Sequence, residues 1–268
     1  IAKENKDLSP NILEKLIYTK TGLAFFNLCE YNFDHIAGDP NNVLSNYNNY
    51  LENFSSNIKD LIQNFALSTH IKNLDDDDLF WSVIQKFSEI DMSPEIYSNE
   101  EIGTVYEDLL RRWSEMSNEE AGEHFTPRDA VNLLVGLVFS GKEQELNNSS
   151  AVRSVYDPCC GTGGMLFSAK DYIENNIQNN PQVILRGQES QPVTYSVCRA
   201  DFIMMGMDEE NIKGPRSTLS SDQFPNEKFH FQLANPPFGQ SWASKSEKDY
   251  ILDEIKNKSF FGRSRFFN

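Results

Sequence analysis

The chain has 268 residues, of which 39% are apolar and 12% aromatic, and it carries 24 basic against 40 acidic residues for a formal net charge of −16. A folded globular protein is expected, large enough for one domain with a sizeable core or for two smaller ones. No apolar run approaches the ~18 residues of a membrane-spanning helix, so no membrane is expected among its partners.

The opening stretch, IAKENKDLSP, has neither an apolar signal region nor an initiator Met and reads as a trimmed N-terminus. Residues 1–120 hold 9 basic and 22 acidic residues, net −13, whereas residues 121–268 hold 15 and 18, net −3. An acidic surface repels phosphate, so the N-terminal half is not expected to bind DNA unaided. The four cysteines, Cys29, Cys159, Cys160 and Cys198, form no CxxC pair and no Cys/His metal spacing, which suits reduced thiols in the cytoplasm.

Residues 1–120 read as a helical domain. Within residues 51–67, Leu51, Phe54, Ile58, Leu61, Ile62 and Phe65 recur every three or four positions and predict one helix with one apolar stripe. Asp75, Asp76, Asp77 and Asp78 precede LFWSVIQKF, where acids complement the dipole of a helix's first turn. The alternating ligands of a calcium loop are absent. A further helix is predicted over residues 100–116, with Ile102, Val105, Tyr106, Leu109, Leu110 and Trp113 on one side.

Residues 121–268 have a different texture and read as a second domain. A buried helix is predicted over residues 129–139, then a polar loop over 141–150. Strands over 153–156, 182–188 and 229–234 alternate with helices over 169–177 and 194–205. Such alternation predicts an α/β fold with a parallel sheet, whose ligands sit at the carboxyl ends of the strands.

Three strand ends carry candidate chemistry. Asp157-Pro158-Cys159-Cys160-Gly161-Thr162-Gly163-Gly164 runs from the first strand into a helix. Glycines there let the backbone turn tightly and approach a ligand, with a plain strand–helix turn as the lesser alternative. The pattern is neither a P-loop nor a GxGxxG fingerprint. Glu189 ends the second strand, 32 residues after Asp157, where an acid can accept both hydroxyls of a ribose. Asn235-Pro236-Pro237-Phe238 follows the third strand. Its prolines remove two donors and fix the chain direction, leaving an amide and an aromatic face to project.

DPCCGTGG and NPPF, in that order, resemble the cofactor and catalytic loops of amino-group DNA methyltransferases. Upstream, Glu123-His124-Phe125-Thr126-Pro127-Arg128 resembles the cofactor segment of adenine-N6 enzymes. The stretch from Ile102 through this segment is similar to the modification subunits of type I restriction–modification systems.

The resemblance implies a Rossmann-like fold, incomplete after NPPF, behind the helical domain. It implies S-adenosylmethionine as cofactor, held by Glu123, His124, Phe125, Thr126, Pro127 and Arg128, by Asp157, and by Gly161, Thr162, Gly163 and Gly164. Glu189 would take the ribose hydroxyls. Asp222 would take the adenine amino group, although Ser221 stands before it where the family has Gly. Asn235 and Pro236 would orient the target amino group, and Phe238 would stack on a flipped adenine in duplex DNA. The implied partners are a specificity subunit, a restriction subunit and a second modification subunit. Cys159 and Cys160 are read as packing residues. Amino-methylation of RNA or of protein glutamine, and a purely assembling role, stay open.

The charge generates one prediction. Titrated with salt, DNA binding by this chain alone should be weak with a shallow slope; tight, sequence-specific binding would remove the need for a partner.

Overall fold

The computed structural model describes residues 1–2, 5, 8–91, 96–97, 105, 108–109, 112, 126–147, 152–178 and 181–237. They fall into two compact units. One comprises Ile1–Thr104 with Ile203–Met207, the other Val105–Phe202 with Asp208–Asn268. Among the described residues no helix is long and apolar enough to cross a membrane.

The first unit is helical: α1 (Pro10–Thr21), α2 (Phe33–Ala37), α3 (Val43–Glu52), α4 (Ser56–Asn64), α5 (Leu67–Asp76) and α6 (Phe80–Ser88). Ile36, Val43, Ile71, Phe80 and Ile84 form its core. Tyr47 packs edge-on against both Phe33 and Phe80.

The single helix expected over residues 51–67 is instead parts of three. Asn53 caps α3, Ser55 precedes α4, and Ala66, at φ +50°, separates α4 from α5. Residues 26–28 supply the reason. The Leu28 amide donates to the Asn53 carbonyl and the Ser55 amide to the Phe26 carbonyl, both at 2.9 Å, while Asn27 and Phe54 form an antiparallel bridge. These long-range pairings outweigh a local apolar stripe.

The aspartates are also displaced from the expected first turn. Asp75 and Asp76 end α5, Asp77 caps it, and Asp78 lies at φ +58°. The Leu79 amide closes back on the Leu74 carbonyl at 2.8 Å, a helix-ending turn that Asp tolerates better than most residues. Of the helix expected over residues 100–116, only Val105, Asp108, Leu109 and Arg112 are described, each helical; the rest lies outside the described residues.

The second unit begins with α7 (Arg128–Phe139) and the short α8 (Glu143–Leu146). Only one face of α7 is buried, through Val131, Val135 and Phe139; Leu133, Leu134 and Leu137 are exposed. Then follow β1 (Arg153–Asp157), α9 (Gly164–Asn176), β2 (Val183–Gln188), α10 (Pro192–Met204), β3 (Ile212–Lys213) and β4 (Phe231–Gln232). The sheet is parallel, in the order β3-β2-β1-β4. Phe139, Val155, Leu166, Ile173, Phe202 and Ile212 are almost wholly buried around it.

The expected strand over 229–234 is shorter as β4, with flanking bonds from the His230 amide to the Ser154 carbonyl and from the Leu233 amide to the Tyr156 carbonyl. The sequence reading missed β3, whose two residues are too few to show a period. The strand order reverses beside β1: the chain moves outward through β2 and β3, then returns to pair β4 on β1's other side. In open parallel sheets a ligand site is expected at such a reversal, at the carboxyl ends of the strands.

Packing around Gly187 in β2 leaves no room for a side chain. A Cβ on it would lie 2.8 Å from Cys160 Sγ and 2.9 Å from Ile212 Cδ1. Gly187→Ala should cost about 1–3 kcal/mol in urea unfolding, the usual penalty for overpacking. Adding Cys160→Ala should make the pair less destabilised than the sum of the two singles.

Candidate active site

Asp157 ends β1 and is 2% exposed. Its Oδ1 accepts from the Cys159 amide at 3.0 Å. Burial pushes its carboxyl up to about 7; the Cys159 hydrogen bonds oppose this, and the charge of Glu189 adds to it. After it, Gly161 (φ +56°) and Gly163 (φ +91°) take left-handed conformations. A Cβ at Gly163 would strike the Cys198 sulfur and the Phe167 ring, each at 2.8 Å, whereas one at Gly161 or Gly164 would meet open space. No side chain caps α9, whose first-turn amides have no partner within the helix. Thr162 is half-buried on the same turn.

Glu189, just past β2, is 7% exposed. Its Oε2 accepts from the Gly161 amide at 2.8 Å. Its Oε1 accepts from the Ser190 and Gln191 amides, both at 2.7 Å, and from the Ser190 hydroxyl at 3.3 Å. The carboxylate thus joins the glycine loop to the start of α10, and Oε2 has capacity for a second donor.

The segment after β3 lies beside these ends. Asp222 Oδ1 accepts from the Phe224 amide at 2.8 Å. The Thr218 hydroxyl donates to the Pro158 carbonyl, and the buried Gln188 side chain bonds to the backbone at residues 216, 221 and 223. Tyr156 stacks on Phe229 at 4.3 Å and meets Phe224 edge-on at 5.6 Å. Burial, then the charge of Asp222, holds its phenol well above the usual range.

The loop after β4 meets the segment before α7. Asn235 Nδ2 donates to Thr126 Oγ1 at 2.9 Å, across 109 residues. Pro236, Pro237, Pro127 and Arg128 are exposed. Glu123, His124, Phe125 and Phe238 lie outside the described residues. The half-buried Cys159 thiol bonds to the Asp157 carboxyl and to the Asn235 backbone; burial, then the charges of Asp157 and Glu189, raise it well above the usual thiol range. It is therefore a neutral contact, not a nucleophile.

The structure thus brings Asp157, the glycine loop and Glu189 together, and separately joins Asn235 to Thr126, with Cys159 touching both groups. Gln188 and Thr218 escaped the sequence reading. Gln188 had one visible signal, an uncharged polar residue at the end of a predicted strand, which must find partners once buried.

These loops belong to a recognised family. Residues 97–260 match N-6 DNA Methylase. The chain belongs to the N-6 DNA methylase family. It is 28% identical over 209 residues to the "Type I restriction enzyme MjaIX methylase subunit" of Methanocaldococcus jannaschii, covering 77% of this chain and 35% of that protein. It is 27% identical over 188 residues to the EcoEI methylase subunit of Escherichia coli, covering 64% and 34%. The chain therefore spans about a third of these curated relatives. A solved type I restriction-modification methyltransferase subunit from Streptococcus thermophilus superposes with a TM-score of 0.64 at 21% identity, covering 89% of this chain and 51% of that one. That likeness fixes the fold as a helical unit followed by the Rossmann-like sheet of these N-6 DNA methylases.

Asp157 gives the site a pH signature. Its carboxyl rises from an ordinary 3.8 to about 7 on folding. Between those values the folded chain holds a proton that the unfolded chain has released, so its contribution to stability falls as pH rises through that window. The melting temperature of the wild type relative to Asp157→Asn should be highest near pH 4, decline toward pH 7 and level off above. A constant difference across the window would show that burial does not raise this acid.

Proposed function

We propose that this N-6 DNA methylase works as part of the modification subunit of a type I restriction–modification complex, methylating N6 of adenine in duplex DNA. The observation that carries the reading is the Asn235–Thr126 hydrogen bond, which sets the NPP loop beside Thr126, with Cys159 linking Asn235 to the two acidic strand ends. The cofactor class fits the residues present: a glycine turn with open space beside Gly161, a preset carboxylate at Glu189 and a second buried acid at Asp157.

In this reading Thr126, Pro127 and Arg128, with Glu123, His124 and Phe125, close over S-adenosylmethionine. Asp157, Gly161, Thr162, Gly163 and Gly164 surround its methionine and ribose. Glu189 Oε2 accepts from the ribose, and Asp222 takes the adenine amino group. The cofactor supplies an electrophilic methyl group; the protein supplies position and charge.

Adenine's amino group is conjugated with its ring and is a poor nucleophile. With the Asn235 nitrogen engaged by Thr126, its Oδ1 is the atom left to act as an acceptor. Oδ1 and the Pro236 carbonyl accept the two N6 hydrogens, favour a pyramidal nitrogen and aim its lone pair. Phe238 stacks on the target base once it has left the duplex, which costs a few kcal/mol. A specificity subunit would choose the DNA sequence, and a second modification subunit and a restriction subunit would complete the complex.

The test is single-turnover methylation of duplex DNA by the subunit assembled with its specificity partner. Asn235→Ala should lower the rate by ~10²–10³, as for loss of a transition-state acceptor. Stability should fall by no more than about 1.5 kcal/mol, the worth of the lost bond to Thr126. Thr126→Val removes the same bond but keeps the Asn235 carbonyl, so it should retain far more activity. Wild-type rates in Asn235→Ala would exclude the catalytic role, and product nucleosides lacking N6-methyladenine would exclude the substrate.

A further inference from the structure

Gln188 is the last residue of β2 and is 0% exposed. A primary amide is costly to bury unless its donors and acceptor are all used. Here they are. Nε2 donates to the Ser221 carbonyl at 2.9 Å and to the Arg216 carbonyl at 3.1 Å, and Oε1 accepts from the Gln223 amide at 3.0 Å.

The placement of those partners matters more than their number. The Ser221 carbonyl and the Gln223 amide belong to the residues on either side of Asp222. One carboxamide pairs with both, as a neighbouring strand would, and so fixes the backbone from which the Asp222 side chain leaves. The bond to Arg216 anchors the start of the same segment. The Ser221 amide closes on the Ser217 carbonyl at 2.9 Å, and Gln223 Nε2 adds a second donor to the Ser221 carbonyl at 3.0 Å. The Asp222 carboxylate is then limited further by the Phe224 amide. Arg186 of β2 also reaches this segment, over the Phe224 ring at 5.8 Å, but that contact does not touch the backbone on either side of Asp222.

We propose that Gln188 is the positioning residue for recognition of the cofactor's adenine, acting through Asp222. The proposal rests on the reading above, in which Asp222 takes the adenine amino group. Two consecutive residues would then serve the two halves of the nucleoside: Glu189 meets the ribose directly, and Gln188 sets the acid that meets the base. A Gln188 that merely filled the core would affect all ligands alike.

Calorimetry on the full subunit with three ligands separates these roles: S-adenosylhomocysteine, S-inosylhomocysteine, which lacks the adenine amino group, and the 2′-deoxyribose form of S-adenosylhomocysteine. The wild type should prefer the adenosyl over the inosyl ligand by roughly tenfold or more, the scale of one hydrogen bond to a charged group. In Gln188→Met, which keeps the length and removes the amide, that preference should fall about tenfold, while the preference over the 2′-deoxy ligand stays within about twofold. In an Asp222→Ala background, Gln188→Met should cause no further loss of adenine preference.

An adenosyl preference that survives in Gln188→Met, or a parallel collapse of both preferences, overturns the proposal. If Gln188→Met does not fold, Gln188→Glu is measured instead, since it keeps the shape and the bond to Gln223 but loses both donors. Failure of both to fold assigns Gln188 to the core and also overturns the proposal. A wild type indifferent to the adenine amino group fails in a different place: it removes Asp222 from the base, and the functional reading of Asp222 falls before any variant is made.

Discussion

The carboxylate of Glu189 holds the site in one shape. It accepts from the Gly161, Ser190 and Gln191 amides and the Ser190 hydroxyl, so one side chain joins the loop after β1 to the entry of α10. Hydrogen bonds to a charged acceptor contribute about 1.5–3 kcal/mol each, and their loss leaves buried amides unpaired. The negative charge also lies at a helix N-terminus, where the dipole favours it. The turn of the glycines, the start of α10 and the placement of a charge at the strand end are therefore one arrangement. A ligand arriving at Glu189 finds the acceptor already in place and does not have to order it.

Asp157 is the contrasting acid. It is as deeply buried as Glu189, but its support comes from Cys159 alone among the described hydrogen bonds, and it stands near the charge of Glu189. Its ionised form is costly for that reason. A positively charged group beside it would lower that cost, which is the demand that the cofactor proposed above would meet. The two acids at adjacent strand ends thus differ in support: backbone amides hold Glu189 from both sides, while Asp157 keeps a carboxyl that burial raises.

Much of this was legible in the sequence because it depends on local chemistry. Asp157, the glycine turn, Glu189 and Asn235 each follow a short buried strand, and alternation with helices placed those strands in one parallel sheet. What stayed hidden depends on distant partners. The break at Asn53 and Ser55 is made by residues 26–28, against a regular helical stripe. Asp78 ends a helix through its backbone conformation, where its charge suggested a beginning. β3 is too short to show a period. The bond of Asn235 to Thr126 spans 109 residues, and no spacing rule connects them. Gln188 showed only that a buried amide needs partners, without saying that they flank Asp222.

The reversal of strand order beside β1 also has a temporal side. Val155 pairs with Leu185 across 30 residues, but with Phe231 across 76. Closing the longer span costs about 0.8 kcal/mol more in chain entropy, and β4 offers only two residues of ladder to offset it. The contacts of β1, α9 and β2 are local by comparison and form the faster nucleus. On a chain emerging from its N-terminal end, the glycine turn and Glu189 are in place before the segment bearing Asn235 exists to dock. The loop after β1 and the end of β2 are thus the framework on which the NPP loop is laid down.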